Sequence, residues 1–148
     1  MASTQSPADL RKAIELTTRS FLAAYTDADN QNDPSLINRD VTADCTRHML
    51  PNSMLEALGL PAGFGIHNEA YAQSISKNIR VYSVQDSVIS DLVIDTEARK
   101  AAFTSNSNVV YKDGWETHPI EFSWSLDFNQ DGSKVSKVTE FCDKDTVL

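Results

Sequence analysis

The sequence predicts an α+β domain in which helices come first and an antiparallel sheet follows. Apolar residues recur at three- and four-residue intervals near the N-terminus, and alternation with a period of two replaces this pattern from Val81 onward. Turn-forming residues separate the alternating segments. Because helices and strands occupy separate parts of the chain, we expect segregated layers, with a sheet of four or five strands packed against the helices.

The first helix is predicted to begin within a residue of Pro7. Ser6 offers a capping hydroxyl, proline suits the first helical position, and Asp9 places a negative charge in the first turn. One apolar stripe continues over roughly four to five turns. It is expected to cover the sheet, and it consists of Leu10, Ile14, Thr17, Phe21 and Tyr25.

Two short elements are predicted next. The polar run at residues 27–33 ends the first helix, and Asp33 before a proline indicates the cap of a short second helix. Residues 41–50 alternate loosely and stop at Pro51, which favours a short strand.

Glycine and proline at residues 59–65 interrupt the chain too often for regular structure, and this segment is a candidate pocket rim. Asn68 is then expected to cap a third helix. One face of that helix carries Tyr71, Ile75 and Ile79.

The last part of the chain is predicted to be a meander of antiparallel strands. Alternation defines the strand segments, which are residues 81–84, 88–94, 100–111, 121–128 and 135–142. Residues that tolerate left-handed dihedral angles connect successive strands as hairpins, at positions 95–97, 113–114 and 129–132.

Length and composition indicate one globular domain spanning residues 1–148, with a flexible polar leader at residues 1–5. The net charge is −8 and the 13 basic residues are scattered, which argues against a nucleic acid or an anionic membrane as partner. No segment has the length of apolar sequence that spans a bilayer, and no targeting pattern is present. We therefore expect a cytoplasmic protein.

The two cysteines, Cys45 and Cys142, lack the spacing of a metal site. We expect no metal and no cofactor. Free buried thiols are the default interpretation, and a disulfide between them stays open.

Glu140 is the first candidate for a general acid or base. It lies between Val138 and Cys142 on the predicted last strand, where desolvation would raise the pKa of its carboxyl toward neutrality. The alternatives are a solvated charge at the strand end or the partner of a buried arginine.

Alternation in residues 118–128 divides the preceding strand into two faces. The inward face either lines a pocket or fills the core, and it is predicted to carry His118, Ile120, Phe122, Trp124, Leu126 and Phe128. Aromatic walls with one imidazole at the open end suit a hydrophobic substrate from which a proton is moved. Tyr25, Tyr71 and Tyr111 are potential hydrogen-bond donors to such a ligand, or core residues.

Arg47 and His48 compete for one role, since neighbours on a strand point to opposite faces. Arg47 could stabilise a developing oxyanion or orient Glu140, whereas His48 could itself transfer protons near neutral pH.

Five segments, together with the order of elements, resemble the nuclear transport factor 2-like (SnoaL-like) fold, and in particular the small fungal isomerases and cyclases of secondary metabolism. This group includes meroterpenoid isomerases and a semipinacolase-type enzyme of indole-alkaloid pathways. The segments are DCTRHMLP at 44–51, LGLP at 58–61, NEAY at 68–71, EF at 121–122 and EFCD at 140–143.

The resemblance implies a cone-shaped curved sheet wrapped by helices around one central pocket, in a homodimer without cofactor. It also implies that Arg47 faces the strand glutamate, Glu140. We expect His118 or His48 to complete the proton transfer. The expected substrate-binding residues are Phe21, Tyr25, Tyr71, Phe122, Trp124 and Leu126.

The leading hypothesis is therefore a cofactor-independent isomerase or cyclase that acts by acid/base chemistry on a hydrophobic polycyclic natural product. A polyketide dehydratase or aldol cyclase would use the same pair of groups. A module that binds a hydrophobic ligand or a partner without catalysis is the third hypothesis, because this fold supports many functions.

Overall fold

The structure, a computed structural model, describes residues 5–114 and 116–143. The predicted leader therefore lies outside the described residues except for Gln5. In chain order the elements are α1 (Pro7–Asn30), a 3₁₀ helix (Pro34–Asn38), β1 (Val41–Leu50), α2 (Asn52–Ala57), β2 (Ile66–His67), α3 (Asn68–Asn78), β3 (Tyr82–Asp95), β4 (Lys100–Tyr111), β5 (Thr117–Phe128) and β6 (Val135–Cys142). The α+β prediction is confirmed.

Helix α1 begins where the sequence predicts it. The Ser6 hydroxyl accepts a hydrogen bond of 3.1 Å from the backbone N–H of Asp9. The apolar stripe is buried against the sheet, with Ile14 and Phe21 almost inaccessible to solvent. The Thr17 hydroxyl also donates to the Gly132 carbonyl oxygen at 2.7 Å, which ties α1 to the turn between β5 and β6.

The sheet has six strands in the order β2-β1-β6-β5-β4-β3. The predicted hairpins are present, since β3, β4, β5 and β6 pair antiparallel in sequence order. The expectation of four or five strands in a fully antiparallel sheet is wrong, because β1 pairs with β6 in parallel and β2 extends that edge. Alternation identifies a strand but does not name its neighbour, and this parallel pair joins segments that are distant in sequence.

Strand β3 is continuous where two separate strands are predicted. The register with β4 shifts between Gln85 and Val88, and again between Ser90 and Val93. Asp86 and Asp91 adopt positive φ angles of 57° and 54° at these places, as expected in β-bulges.

Three other local differences concern helix and strand boundaries. Helix α2 has no counterpart among the predicted elements, and β5 begins at Thr117 instead of residue 121. His67, not Asn68, is the N-cap of α3. The Asn68 side chain instead donates to the Thr42 carbonyl oxygen at 2.9 Å, so it ties α3 to β1.

Two clusters of buried side chains form the interior. The first lies between α1 and the sheet, and the second is formed by α1, the 3₁₀ helix and α3. Tyr25 packs against both clusters. No helix in the described part of the chain combines the length and the apolar character needed to cross a membrane.

Candidate active site

A cavity of about 250 Å³ lies between the inward face of the sheet and helices α1 and α3. Apolar and aromatic side chains form most of its wall, among them Leu22, Met49, Ile75, Ile120, Phe122 and Trp124. Hydroxyl and carboxyl groups interrupt this wall at Glu140 and Asp29, at four tyrosines that include Tyr25 and Tyr71, and at a group of serines. An apolar cavity with a few polar groups is typical of a small-molecule site.

Glu140 lies on the cavity wall, near the C-terminal end of β6. Its register partner on β5 is Trp124, and the residue is only 6% exposed. Desolvation raises the pKa of the Glu140 carboxyl to about 7, and the positive charge of Arg47 opposes this shift only in part. No side chain among residues 5–114 and 116–143 forms a hydrogen bond or ion pair with this carboxyl. Glu140 therefore has the burial and the pKa expected of a general acid or base.

Arg47 is completely buried behind the cavity wall. Its guanidinium donates to the Tyr25 hydroxyl at 3.2 Å and to the Ile37 carbonyl oxygen at 3.0 Å. The guanidinium carbon also lies 4.0 Å from the centre of the Tyr71 ring, a cation–π contact. Its Nε atom is buried without a hydrogen-bond partner in the described residues. Arg47 thus places a fixed positive charge behind the two tyrosines.

The hydroxyl oxygens of Tyr25 and Tyr71 lie 2.8 Å apart, and both residues line the cavity. Desolvation raises the pKa of both phenols, so each keeps its proton at neutral pH. The pair carries two hydroxyl protons and uses one for the bond between them, while Arg47 donates to Tyr25 and takes up none. One phenolic O–H therefore stays available to a ligand oxygen in the cavity.

Arg47 and His48 point to opposite faces of β1, as expected, and Arg47 is the one that points inward. The His48 ring lies outside the cavity, where Nε2 forms a hydrogen bond of 2.9 Å with the Thr46 hydroxyl. Burial and the charge of Lys137 lower the pKa of His48.

His118 is predicted to face the cavity, but it does not. Its side chain is 49% exposed and pairs with Glu116 at 3.2 Å, while its ring contacts the edge of Tyr111. It is the second residue of β5, beyond the part of the strand that the helices cover. Alternation assigns a side chain to a face of the sheet, but it does not show how far the covering layer extends.

The expected substrate-binding residues divide into two groups. Tyr25, Tyr71, Phe122 and Trp124 line the cavity. Phe21 and Leu126 do not, because both are fully buried in the cluster between α1 and the sheet.

Sequence reasoning named Tyr111 of β4, which lines the cavity, but it missed the serines of β3 and β4 that do so. Ser105 and Ser107 alternate with exposed residues on β4, and this period of two is the signal that places them inward. Ser87 had no such signal, because the β-bulge before it reverses the alternation. Cys45 and Cys142 are both buried free thiols, and Cys142 borders the cavity.

A six-stranded sheet and helices enclose the cavity, and solved structures that share this arrangement show that the chain has the nuclear transport factor 2-like, ketosteroid isomerase-like fold. The BvnE pinacolase from Penicillium brevicompactum superimposes with a TM-score of 0.74 at 18% identity, over 99% of this chain and 91% of that one. AusH from Aspergillus nidulans gives 0.71 at 21% identity, over 90% and 85%. A hypothetical protein with a ketosteroid isomerase-like fold from Catenulispora acidiphila gives 0.61 at 12% identity, over 86% and 88%.

No family model matches the sequence, and no curated protein matches it. The likeness to solved structures is therefore a likeness of fold.

Proposed function

We propose that the protein is a cofactor-independent isomerase or cyclase that moves a proton on a hydrophobic polycyclic natural-product intermediate. The observation that carries this proposal is the Glu140 carboxyl, buried in an apolar cavity with its pKa raised to about 7. A solvated or ion-paired Glu140 would have favoured a binding module. A general base is most effective when its pKa lies near the working pH.

The geometry supports a sequence of two proton transfers. The ionised Glu140 carboxylate takes a proton from a carbon next to a carbonyl group, and the electron pair of the broken C–H bond moves onto the carbonyl oxygen. The free O–H of the Tyr25 and Tyr71 pair donates to that oxygen as its negative charge develops, and Arg47 polarises the pair from behind. In a substrate with a C=C bond next to the deprotonated carbon, the electron pair on oxygen re-forms the carbonyl, and Glu140 delivers the proton to the far carbon of that C=C bond. The double bond thereby moves into conjugation with the carbonyl.

The substrate is neither oxidised nor reduced overall in these steps, so the chemistry requires no redox partner. Arg47 contacts neither the cavity nor a substrate in it and is a positioning residue. A dehydratase or aldol cyclase would begin with the same proton abstraction and would differ in the bond that breaks next. The name of the BvnE pinacolase is consistent with chemistry that rearranges a skeleton in such a cavity.

The test uses β-tetralone, a bicyclic enolisable ketone, as the probe. The protein in D₂O is expected to incorporate deuterium at the benzylic carbon next to the carbonyl faster than buffer alone, as followed by proton NMR. Because the base must be ionised, the rate should rise with pH and reach half of its plateau near pH 7.

Glu140→Gln should slow the protein-catalysed exchange by about 10²- to 10⁴-fold. Glu97→Gln is the matched control, since Glu97 is exposed in the turn between β3 and β4 and does not line the cavity. Exchange no faster than in buffer, or equal exchange by Glu140→Gln and the parent protein, would contradict the proposal.

A further inference from the structure

Three of the serines that line the cavity on β3 and β4 form a second polar region, and the proton transfers above do not use it. They are Ser87, Ser105 and Ser107. Ser105 is 1% exposed and Ser107 is 6% exposed, and both line the cavity together with Ser87. Their neighbours along the inward face of β4 are Phe103 and Val109, which are apolar.

A β-bulge turns Ser87 into the cavity. Val84 pairs with Val109, a buried residue on the inward face of β4, so regular alternation would bring residues 86 and 88 to the same face. The bulge at Asp86, with a φ of 57°, shifts this alternation by one residue, so that Ser87 faces inward and Val88 is 57% exposed. The hydroxyl of Ser87 thus lines the cavity where the apolar side chain of Val88 would otherwise lie. This arrangement requires Asp86 to adopt a left-handed backbone conformation. Bulges next to binding sites commonly redirect a side chain in this way.

The hydrogen bonds of these serines leave two O–H donors without an acceptor in the described part of the chain. The Trp124 indole N–H donates to the Ser105 oxygen at 2.9 Å, which leaves the Ser105 hydroxyl proton free. Ser87 and Ser107 form one hydrogen bond of 2.8 Å, which uses one of their two protons. Buried hydroxyls normally have both donor and acceptor functions satisfied. An acceptor atom of a ligand in the cavity would satisfy both of these free O–H donors.

The serines lie away from Glu140 across the sheet. Ser105 pairs with Phe122, Phe122 pairs with Cys142, and Cys142 is two residues beyond Glu140 on β6. Two strand spacings and two residues separate the Cα atoms of Ser105 and Glu140, which corresponds to roughly 10 Å across the strands and roughly 7 Å along them.

We propose that Ser87, Ser105 and Ser107 form a second subsite, which binds an acceptor oxygen of the substrate at the end remote from the reacting carbon. The inference rests on the proposed function only in that one molecule occupies both ends of the cavity. It specifies the substrate class as a rigid, hydrophobic molecule with oxygen functions at both ends, the remote one a carbonyl or ether.

The experiment compares two biphenyl probes of nearly equal size by isothermal titration calorimetry. Both carry a para-hydroxyl group on one ring, and the other ring carries either a para′-acetyl or a para′-ethyl group. Since one added hydrogen bond in a desolvated site changes affinity by about tenfold, the acetyl probe is expected to bind about tenfold more tightly. Ser105→Ala and Ser87→Ala should reduce this preference while leaving the affinity for the ethyl probe unchanged.

Ser123→Ala is the matched control, because Ser123 is exposed on the opposite face of β5, and it should keep the full preference. Equal affinities of the parent protein for the two probes, weak or absent binding of both, or equal loss of both in the serine variants would overturn the subsite. In those cases water, and not a substrate oxygen, accepts hydrogen bonds from the free serine hydroxyls.

The preference for the acetyl probe is a binding measurement, and it does not depend on whether the protein catalyses proton exchange. Glu140→Gln should retain the acetyl preference, so a protein that shows the preference but no exchange refutes only the proposed reaction. A protein that catalyses exchange without the preference refutes only the subsite.

Discussion

Tyr25 and Tyr71 join two helices at the wall of the cavity through a hydrogen bond of 2.8 Å between their hydroxyl groups. Tyr25 lies on α1 and Tyr71 on α3, and the guanidinium of Arg47 contacts both. The pair is thus held by groups from three elements before a ligand enters. Preorganised donors of this kind stabilise charge without having to rearrange during the reaction.

Replacing either tyrosine by phenylalanine should slow proton exchange. Tyr71→Phe removes one hydroxyl of the donor pair, and the exchange rate is expected to fall by about 10²-fold. Tyr25→Phe should have an effect of similar size, because it breaks the link to Arg47. The double variant should be little slower than either single variant, since the two hydroxyls act as one unit. Fully multiplicative losses would show that the hydroxyls act independently.

Arg47 should set the pH dependence through its charge. Its charge holds the pKa of Glu140 below the value that desolvation alone would produce. Arg47→Met is therefore expected to move the midpoint of the pH–rate profile above 7, while Arg47→Lys, which keeps the charge, should leave the midpoint near that of the parent. Circular dichroism establishes that each variant folds. An unchanged midpoint in a folded Arg47→Met protein would limit Arg47 to a structural role.

The raised pKa of Glu140 should also appear in the stability of the protein. The folded state holds this proton up to about pH 7, whereas the unfolded chain releases it around the ordinary value of 4.5. The folded state therefore binds more protons in between, and stability is lost as the pH rises through this window. The loss from this group should be about 3 kcal/mol.

Urea denaturation at pH 4.5 and pH 8 measures the effect as a difference between variants. Glu140→Gln should lose less stability than the parent over this range, because it has no group to ionise at that position. Glu97→Gln, at an exposed position in the turn between β3 and β4, should follow the parent. A parallel decline of Glu140→Gln and the parent would place the Glu140 pKa near its ordinary value.

Gly132 should resist substitution. It has a φ of 75°, and a Cβ atom there would lie 2.9 Å from Ile14 Cγ1 on α1. Gly132→Ala should therefore lower the free energy of unfolding by about 1–3 kcal/mol. Gly114→Ala is the control, because no atom of the described chain beyond the neighbouring residues lies within 4 Å of the corresponding Cβ position. Similar stabilities of the two variants would contradict this account.

The protein is expected to form a homodimer through the outer face of the sheet. The helices leave this face uncovered, and Val88, Val93 and Phe141 on it are 57%, 64% and 51% exposed. An exposed apolar sheet face commonly pairs with a second copy. Size-exclusion chromatography with light scattering at micromolar concentration should show a dimer, and Phe141→Arg should convert it to a monomer. A monomeric parent protein would refute the prediction.

Part of the site could be predicted because local patterns encode it. Glu140 among apolar neighbours on a strand was enough to indicate a desolvated carboxyl, and alternation indicated the inward position of Trp124. The position of His118 and the role of Ser87 could not be predicted in this way. One depends on where the covering helices stop, and the other depends on a bulge that reverses the alternation.

The sequence by itself determined the order of helices and strands, the start of α1 at its Ser6 cap, and the face of β6 that carries Glu140. Periodicity and capping act over a few residues, so they can be read locally. The tertiary structure decided that β1 pairs with β6, and this pairing brings Arg47 into register with Val138 near Glu140. It also decided that Tyr25 meets Tyr71. Such contacts join distant segments, and they form only where packing of the whole core makes them favourable.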